Sequence, residues 1–238
     1  MKKEIAPTGT LRVGLNYQNF LLVLGDGPDG EPRGIAPDLA RELARRLGLP
    51  IEYVKFDAAG KLADAVKAGA WDVAFLGAEP TRASEIAFSA AYLEIPVTFL
   101  VPAGSPIRSI ADVDREGTRI SVSEKSAYDL YLTRTLKRAK LVRAPGIDAS
   151  YDYFVEQKLE ALAGLKPRLA QDAAKLGGSR ILDGQITGVQ QAIGTPKARE
   201  QAAKYLREFA EDVKASGFVA QAIERHKVPG VNVAPKAR

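Results

Sequence analysis

Short apolar runs alternate with amphipathic helical patterns along the chain, and this alternation limits the possible folds more than any other feature. Leu11-Arg-Val-Gly-Leu15 reads as a strand after a Pro/Thr/Gly opening. Pro37 stands where a first helical turn tolerates it, and Leu39, Leu43 and Leu47 recur every four residues until Gly48 ends the helix. Ile51–Phe56 reads as a strand, 60–67 as a short helix closed near Gly69, and 71–76 as another strand. This order predicts an α/β fold with a parallel-type sheet and helices on both faces.

A second unit follows residues 96–102. A strand is expected at 118–122, and Ser126-Ala-Tyr-Asp129 fits a capping box opening a helix to about residue 138, with Asp129 where Glu or Gln is usual. A strand at 141–144, a helix from about 148 to 159 and the apolar run 161–165 continue the pattern. Residues 180–193 read as extended, interrupted at Gly184 and Gly188. Two amphipathic helices, 197–216 and 218–226, are parted by Gly217. No Gly/Ser-rich linker separates the halves. The expectation is therefore two lobes joined by strands, residues 1–95 plus 191–238 forming lobe 1 and 96–190 forming lobe 2. Hinge strands are expected near 96–101 and 185–193. A hinged cleft between such lobes is a common way to enclose a small ligand.

Composition removes several function classes. The formal charge of the 238 residues is +5, yet Lys and Arg are interspersed with Asp and Glu instead of clustering with aromatics. That pattern is not a nucleic-acid footprint and leaves a mild bias toward acidic ligands. No apolar stretch approaches the ~20 residues that span a bilayer, and the first residues carry no apolar signal segment. Without cysteine there are no disulfides, Cys-zinc sites or thiol nucleophiles. His226, the only histidine, is expected on the surface of a charged helix, which argues against histidine-based acid–base chemistry. No Asp/Glu/His set has metal-ligand spacing, and neither a cofactor nor a catalytic residue is expected.

The most informative segment runs from Asp72 to Tyr92. An apolar strand enters a Gly77-containing turn that delivers Arg82 just before a second apolar stretch. A guanidinium presents a planar fork of donors that matches a carboxylate, so an Arg fixed at such a junction suits an anion. A solvated surface Arg is the plain alternative. Trp71 and Phe75 are expected in the core.

From Gly9-Thr-Leu-Arg-Val-Gly14 to Ser216-Gly-Phe218, the order of segments resembles the extracytoplasmic solute-binding proteins of amino-acid type, family 3, which serve ABC importers. The likeness is carried by the opening strand, Gly30-Glu-Pro-Arg-Gly-Ile-Ala-Pro-Asp38-Leu-Ala and Gly69-Ala-Trp-Asp72-Val. It is carried further by Thr81-Arg82 six residues before Phe88-Ser-Ala-Ala-Tyr92, and by Ser126 after a strand. The resemblance implies a two-lobed periplasmic-binding-protein-like fold of type II. The implied protein is a periplasmic or extracytoplasmic monomer that holds a small carboxylate-bearing solute between its lobes and meets an ABC permease at the membrane.

By the same resemblance, the carboxylate-binding Arg falls on Arg82, and a second-lobe helix start falls on Ser126, Ala127 and Tyr128. Helix starts carry unsatisfied N–H donors and partial positive charge, which suits an anion. The position where amino-acid binders hold the α-ammonium with an acid falls on Leu165, beside Lys166. Glu79 stands in a turn that looks shorter than in the family. Asn16, Tyr17 and Asn19 offer amides and an aromatic wall near the expected cleft mouth. Glu79 could accept from a ligand cation or pair with Arg82. Two other functions stay open: an enzyme resembling the cyclohexadienyl dehydratases built on this scaffold, and a ligand-sensing domain.

Overall fold

The computed structural model describes residues 1–237. Its elements begin with α1 (Lys2–Ile5), β1 (Leu11–Asn16), α2 (Ile35–Leu47), β2 (Ile51–Phe56), α3 (Ala59–Asp64) and β3 (Val73–Gly77). A 3-10 turn (Arg82–Ser84), β4 (Ile86–Phe88) and β5 (Leu93–Val101) follow. Next come β6 (Arg119–Ser123), α4 (Ala127–Thr135), β7 (Lys140–Ala144), α5 (Ile147–Glu156), β8 (Ala161–Leu165), α6 (Lys166–Lys175) and β9 (Arg180–Ile181). The chain ends with β10 (Thr187–Pro196), α7 (Glu200–Ala215), α8 (Phe218–Arg225) and β11 (Asn232–Val233). It divides into two compact units. Unit 1 comprises Met1–Glu94 and the segment from Gln190 onward; unit 2 comprises Ile95–Val189. The chain changes unit within β5 and again within β10.

In unit 1, β2, β1 and β3 run parallel, with Leu11 opposite Ile51 and Gly14 opposite Ala74. β10 then lies antiparallel to β3, Gln191 opposite Gly77, and β4 pairs with β10. The sheet is therefore mixed where a parallel one was expected. Apolar periodicity fixes which face a strand buries and is silent on its direction. A core of Leu62, Trp71, Ala74, Leu76 and Ile86 packs on this sheet, and the Trp71 indole donates to the Leu62 carbonyl at 2.9 Å. Phe75 is buried as well, edge-on to the Tyr92 ring.

Unit 2 pairs β5 antiparallel to β8, with β8, β6 and β7 parallel in turn. Its core gathers Leu100, Phe154, Leu159, Leu162 and Leu169. The stretch expected to be extended over 180–193 is split. β9 ends at Ile181, Gly184 turns with φ 83°, and β10 passes unbroken through Gly188 to Pro196.

Local chemistry explains the helix ends. α2 stops at Gly48, whose left-handed φ of 60° lets the Gly48 and Leu49 N–H groups return to the Arg45 and Ala44 carbonyls. α4 ends three residues before the expected 138. Leu136 is extended, and the Asp114 carboxylate accepts the N–H groups of Lys137, Arg138 and Ala139, pinning them outside the helix. α3, α5 and α7 are likewise shorter than their apolar patterns suggest.

Candidate functional site

The parallel strands β1 and β3 finish at the same edge of unit 1, and the carboxyl ends of such strands are where open α/β sheets bind ligands. Asn16 closes β1, and Asn19 follows in a turn whose N–H donates to the Asn16 carbonyl at 3.2 Å. Gly77 closes β3. Glu79 and Arg82 follow in the turn after it, and Arg82 opens the 3-10 turn. This edge thus brings together five of the expected residues: Asn16, Asn19, Gly77, Glu79 and Arg82, all buried.

Arg82 is not a solvated surface residue. It is 7% exposed, and its Nη1 donates to the Gly77 carbonyl at 2.7 Å, so the turn that carries the side chain also orients it. Burial pushes its pKa down to about 10, opposed by the carboxylates of Glu79 and Asp64. The guanidinium stays charged at neutral pH, in a setting where its field is weakly screened. Glu79 is 6% exposed and accepts the Thr81 N–H at 3.1 Å. Two buried charges of opposite sign therefore share one short turn.

Tyr17 follows Asn16 directly, and its N–H donates to the Phe56 carbonyl at 2.8 Å. Its hydroxyl donates to Asp26 at 2.7 Å, and the Lys55 ammonium, itself 2.5 Å from Asp26, sits over the ring. Phe56, the other aromatic near this edge, packs against the unit 1 core.

In unit 2, β6 and β8 are parallel neighbours, and α4 follows the first while α6 follows the second. Both helix starts stand at the carboxyl edge of that sheet. Ser126 is the N-cap of α4, its Oγ accepting the Asp129 N–H at 3.1 Å. The capping box is not closed in the usual reciprocal way, because the Asp129 carboxylate takes the Lys125 N–H at 2.7 Å and pairs with Arg143. Ala127 and Tyr128 begin the helix. The Tyr128 phenol points into the protein, its pKa pushed up to about 12 by burial against the pull of the Ser126 and Ser123 hydroxyls. Any role of Tyr128 toward a ligand would fall to its main chain. Lys166 is exposed on the first turn of α6, after buried Leu165.

The sequence reading missed one residue of the unit 1 edge. Gln191 is paired in register with Gly77, and its side chain is buried. A glutamine pair, Gln190-Gln191, inside an otherwise apolar strand was the available signal. His226 was also misplaced. Its side chain is 9% exposed, with Nε2 2.8 Å from Asp38 Oδ2. The charged pattern of its helix concealed a partner from α2.

The family model for bacterial extracellular solute-binding proteins, family 3, matches residues 11–228. Solved structures of the same fold include the solute receptor for L-cysteine of Neisseria gonorrhoeae, 20% identical, with a TM-score of 0.80 over 95% of this chain and 93% of that one. An amino acid ABC transporter substrate-binding protein from Streptococcus pneumoniae, bound to L-arginine, is 18% identical, with a TM-score of 0.77 and coverage of 93% and 96%. An ancestral amino acid-binding protein, a precursor of cyclohexadienyl dehydratase, is 22% identical, with a TM-score of 0.75 and coverage of 93% and 97%. At these identities the likeness establishes the two-lobed solute-binding fold and leaves the ligand open.

Proposed function

The chain belongs to the bacterial extracellular solute-binding proteins, family 3, and from that premise we propose that it is a non-enzymatic receptor that captures a small solute by its carboxylate for ABC-type import. The solute is amino-acid-like or a related organic acid, as the arginine- and cysteine-binding relatives suggest by analogy. The single observation that carries this reading is Arg82, a buried cation oriented by the Gly77 carbonyl at the carboxyl edge of β1 and β3. Burying a guanidinium is costly, and a fold retains one most economically where an anion will meet it. The N-terminus of α4, at Ser126, Ala127 and Tyr128, supplies main-chain N–H donors for the same kind of group. The two strand crossings, within β5 and β10, would serve as the hinge. The receptor would work outside the cytoplasm and meet its permease at the membrane.

The dehydratase alternative needs a carboxylic acid to protonate a leaving hydroxyl. The position that the family resemblance matches to it holds Lys166, a poor general acid.

The test is calorimetric titration of small carboxylates into the wild type and the Arg82→Lys and Arg82→Met variants. A charge-assisted, forked contact contributes roughly 1.5–3 kcal/mol, so affinity should fall about ten- to hundredfold, and Lys should recover only part of the loss. Equal affinity in all three proteins would remove Arg82 from the site.

A further inference from the structure

The amino edge of the unit 2 sheet carries a cationic pit that the proposed function does not use. Arg119 opens β6 and Lys140 opens its parallel neighbour β7, so both stand at the end of the sheet opposite the starts of α4 and α6. With Lys137, Arg138, Glu116 and Gly117 they line a surface cavity of about 670 Å³. Arg119 is engaged: its guanidinium donates to both Glu160 oxygens and to the Lys158 carbonyl, at 2.8–2.9 Å. Lys137, Arg138 and Lys140 are exposed, and among the described residues their side chains enter no ion pair or hydrogen bond. Glu116 is the one carboxylate in the lining.

We propose that this pit is a membrane-docking surface, which rests against the anionic phosphate headgroups of a phospholipid bilayer. The inference goes beyond the proposed function and takes from it only that the chain works beside a membrane. Charge complementarity selects an anionic partner, because concave walls of one sign focus the field and gather opposite charge. The kind of donor available selects an extended surface over a small guest. Free phosphate is commonly gripped by fixed main-chain N–H groups. Here those of Lys137, Arg138 and Ala139 are already taken by the Asp114 carboxylate, at 2.8–2.9 Å. What remains is a set of long side chains with rotatable charged tips, which suits a diffuse array of headgroups. Asp114, which feels the Arg138 charge, and Glu116 moderate the attraction, so the contact is weak and salt-sensitive. The length of β6 sets the pit roughly 15 Å from the starts of α4 and α6, so docking here leaves the carboxyl edge of unit 2 clear.

The experiment is flotation of the full chain with phosphatidylglycerol vesicles and with phosphatidylcholine vesicles, at low and at high salt. The wild type should float with the anionic vesicles alone and release as salt rises, because screening shortens the reach of exposed charges. Each cation near an anionic surface contributes a factor of about five, so the triple variant Lys137→Glu, Arg138→Glu, Lys140→Glu should partition at least about tenfold more weakly. A control triple, Lys3→Glu, Lys204→Glu, Arg207→Glu, makes the same change of net charge at exposed positions of unit 1 and should keep most of the binding. Equal losses in the two triples would overturn the inference, since net charge alone would then account for the attraction. Equal flotation with both lipids would overturn it too, as would a wild type that ignores anionic vesicles. In that last case, retention on poly-glutamate resin would mark an acidic protein surface as the partner, and calorimetric binding of pyrophosphate would mark a small-anion site. Thermal melts check folding, and the neutral triple Lys137→Gln, Arg138→Gln, Lys140→Gln repeats the test where charge reversal unfolds the chain. No arm uses a solute, so the outcome is independent of the Arg82 titrations.

Discussion

His226 Nε2 stands 2.8 Å from Asp38 Oδ2, joining the end of α8 to the first turn of α2 across 188 residues. An ionised carboxylate only accepts, so the imidazole donates. Arg225 Nη1 reaches the same oxygen at 2.8 Å, and Arg41 Nη2 reaches Oδ1 at 2.6 Å. Asp38→Asn should cost about 1–3 kcal/mol at neutral pH, since the amide offers one acceptor oxygen where the carboxylate offers two. Urea denaturation of variant and wild type measures the difference, and His226→Ala should show a smaller loss of the same sign.

The same cluster sets a pH dependence. Burial works to raise the Asp38 pKa, but hydrogen bonds from His226 and Arg41 outweigh it, and the folded value lies below the ordinary carboxylate range. A depressed folded pKa means the contribution is fully present above the unfolded pKa, ~3.9, and is lost as pH falls through the folded value. Stability measured by denaturant titration should decline below about pH 4, and less steeply in Asp38→Asn.

Asp72 holds unit 1 together from the other side of β1. Its side chain is fully buried and accepts from Arg12 Nε at 3.0 Å, Arg12 Nη2 at 2.8 Å and Arg199 Nη1 at 2.8 Å, with the Arg12 N–H adding a fourth contact. One carboxylate thereby ties β1 and the start of α7 to the head of β3. Removing a buried ion whose partners remain leaves their charges uncompensated. Asp72→Ala should therefore cost about 2–4 kcal/mol, below the fully buried extreme because both arginines keep some solvent exposure. A fall in thermal midpoint with little change in the protein's circular dichroism at low temperature would register it.

Gly34 is fixed by space as well as by backbone angle. It caps α2 with φ at 133°, and an added Cβ would press on the Leu22 carbonyl oxygen, which accepts the Ala36 N–H. The obstacle is main chain and cannot rotate away. Gly34→Ala should lose about 2–4 kcal/mol through strain at a special backbone position, whereas Gly69→Ala, left-handed but with open space around it, should lose less. Denaturation midpoints of the two variants, read side by side, test this ranking.

Much of the fold was legible because its signals are local. The leucine spacing of α2, the apolar runs of β1 and β2, and the Gly48 stop all act within one element. The turn that delivers Arg82 was legible for the same reason, since strand, Gly77 and arginine lie within a few residues. What escaped depends on distant partners. The antiparallel sense of β10 comes from pairing with β3, and the partner of His226 is Asp38, 188 residues away. Gln191 read as part of a crossing strand, because its relation to Gly77 exists only once the sheet has formed. The contacts of Tyr17 with Asp26 and Lys55 likewise join residues that are distant in sequence.

Ser126 separates helix capping from ligand contact. Its Oγ accepts the Asp129 N–H, so Ser126→Ala should cost about 1 kcal/mol from the lost cap. A carboxylate docked on the same helix start would lose affinity too, which makes the alanine variant ambiguous when taken alone. Ser126→Asp resolves it. Aspartate caps about as well as serine and suits the positive end of the helix, so stability should hold within roughly 0.5 kcal/mol. A new negative charge at the α4 N-terminus would nevertheless repel an incoming carboxylate and occupy the main-chain donors it needs. Calorimetry should then show affinity reduced at least about tenfold in a protein that melts like the wild type. If Ser126→Asp binds carboxylates as well as the wild type does, the start of α4 caps its own helix and takes no part in binding.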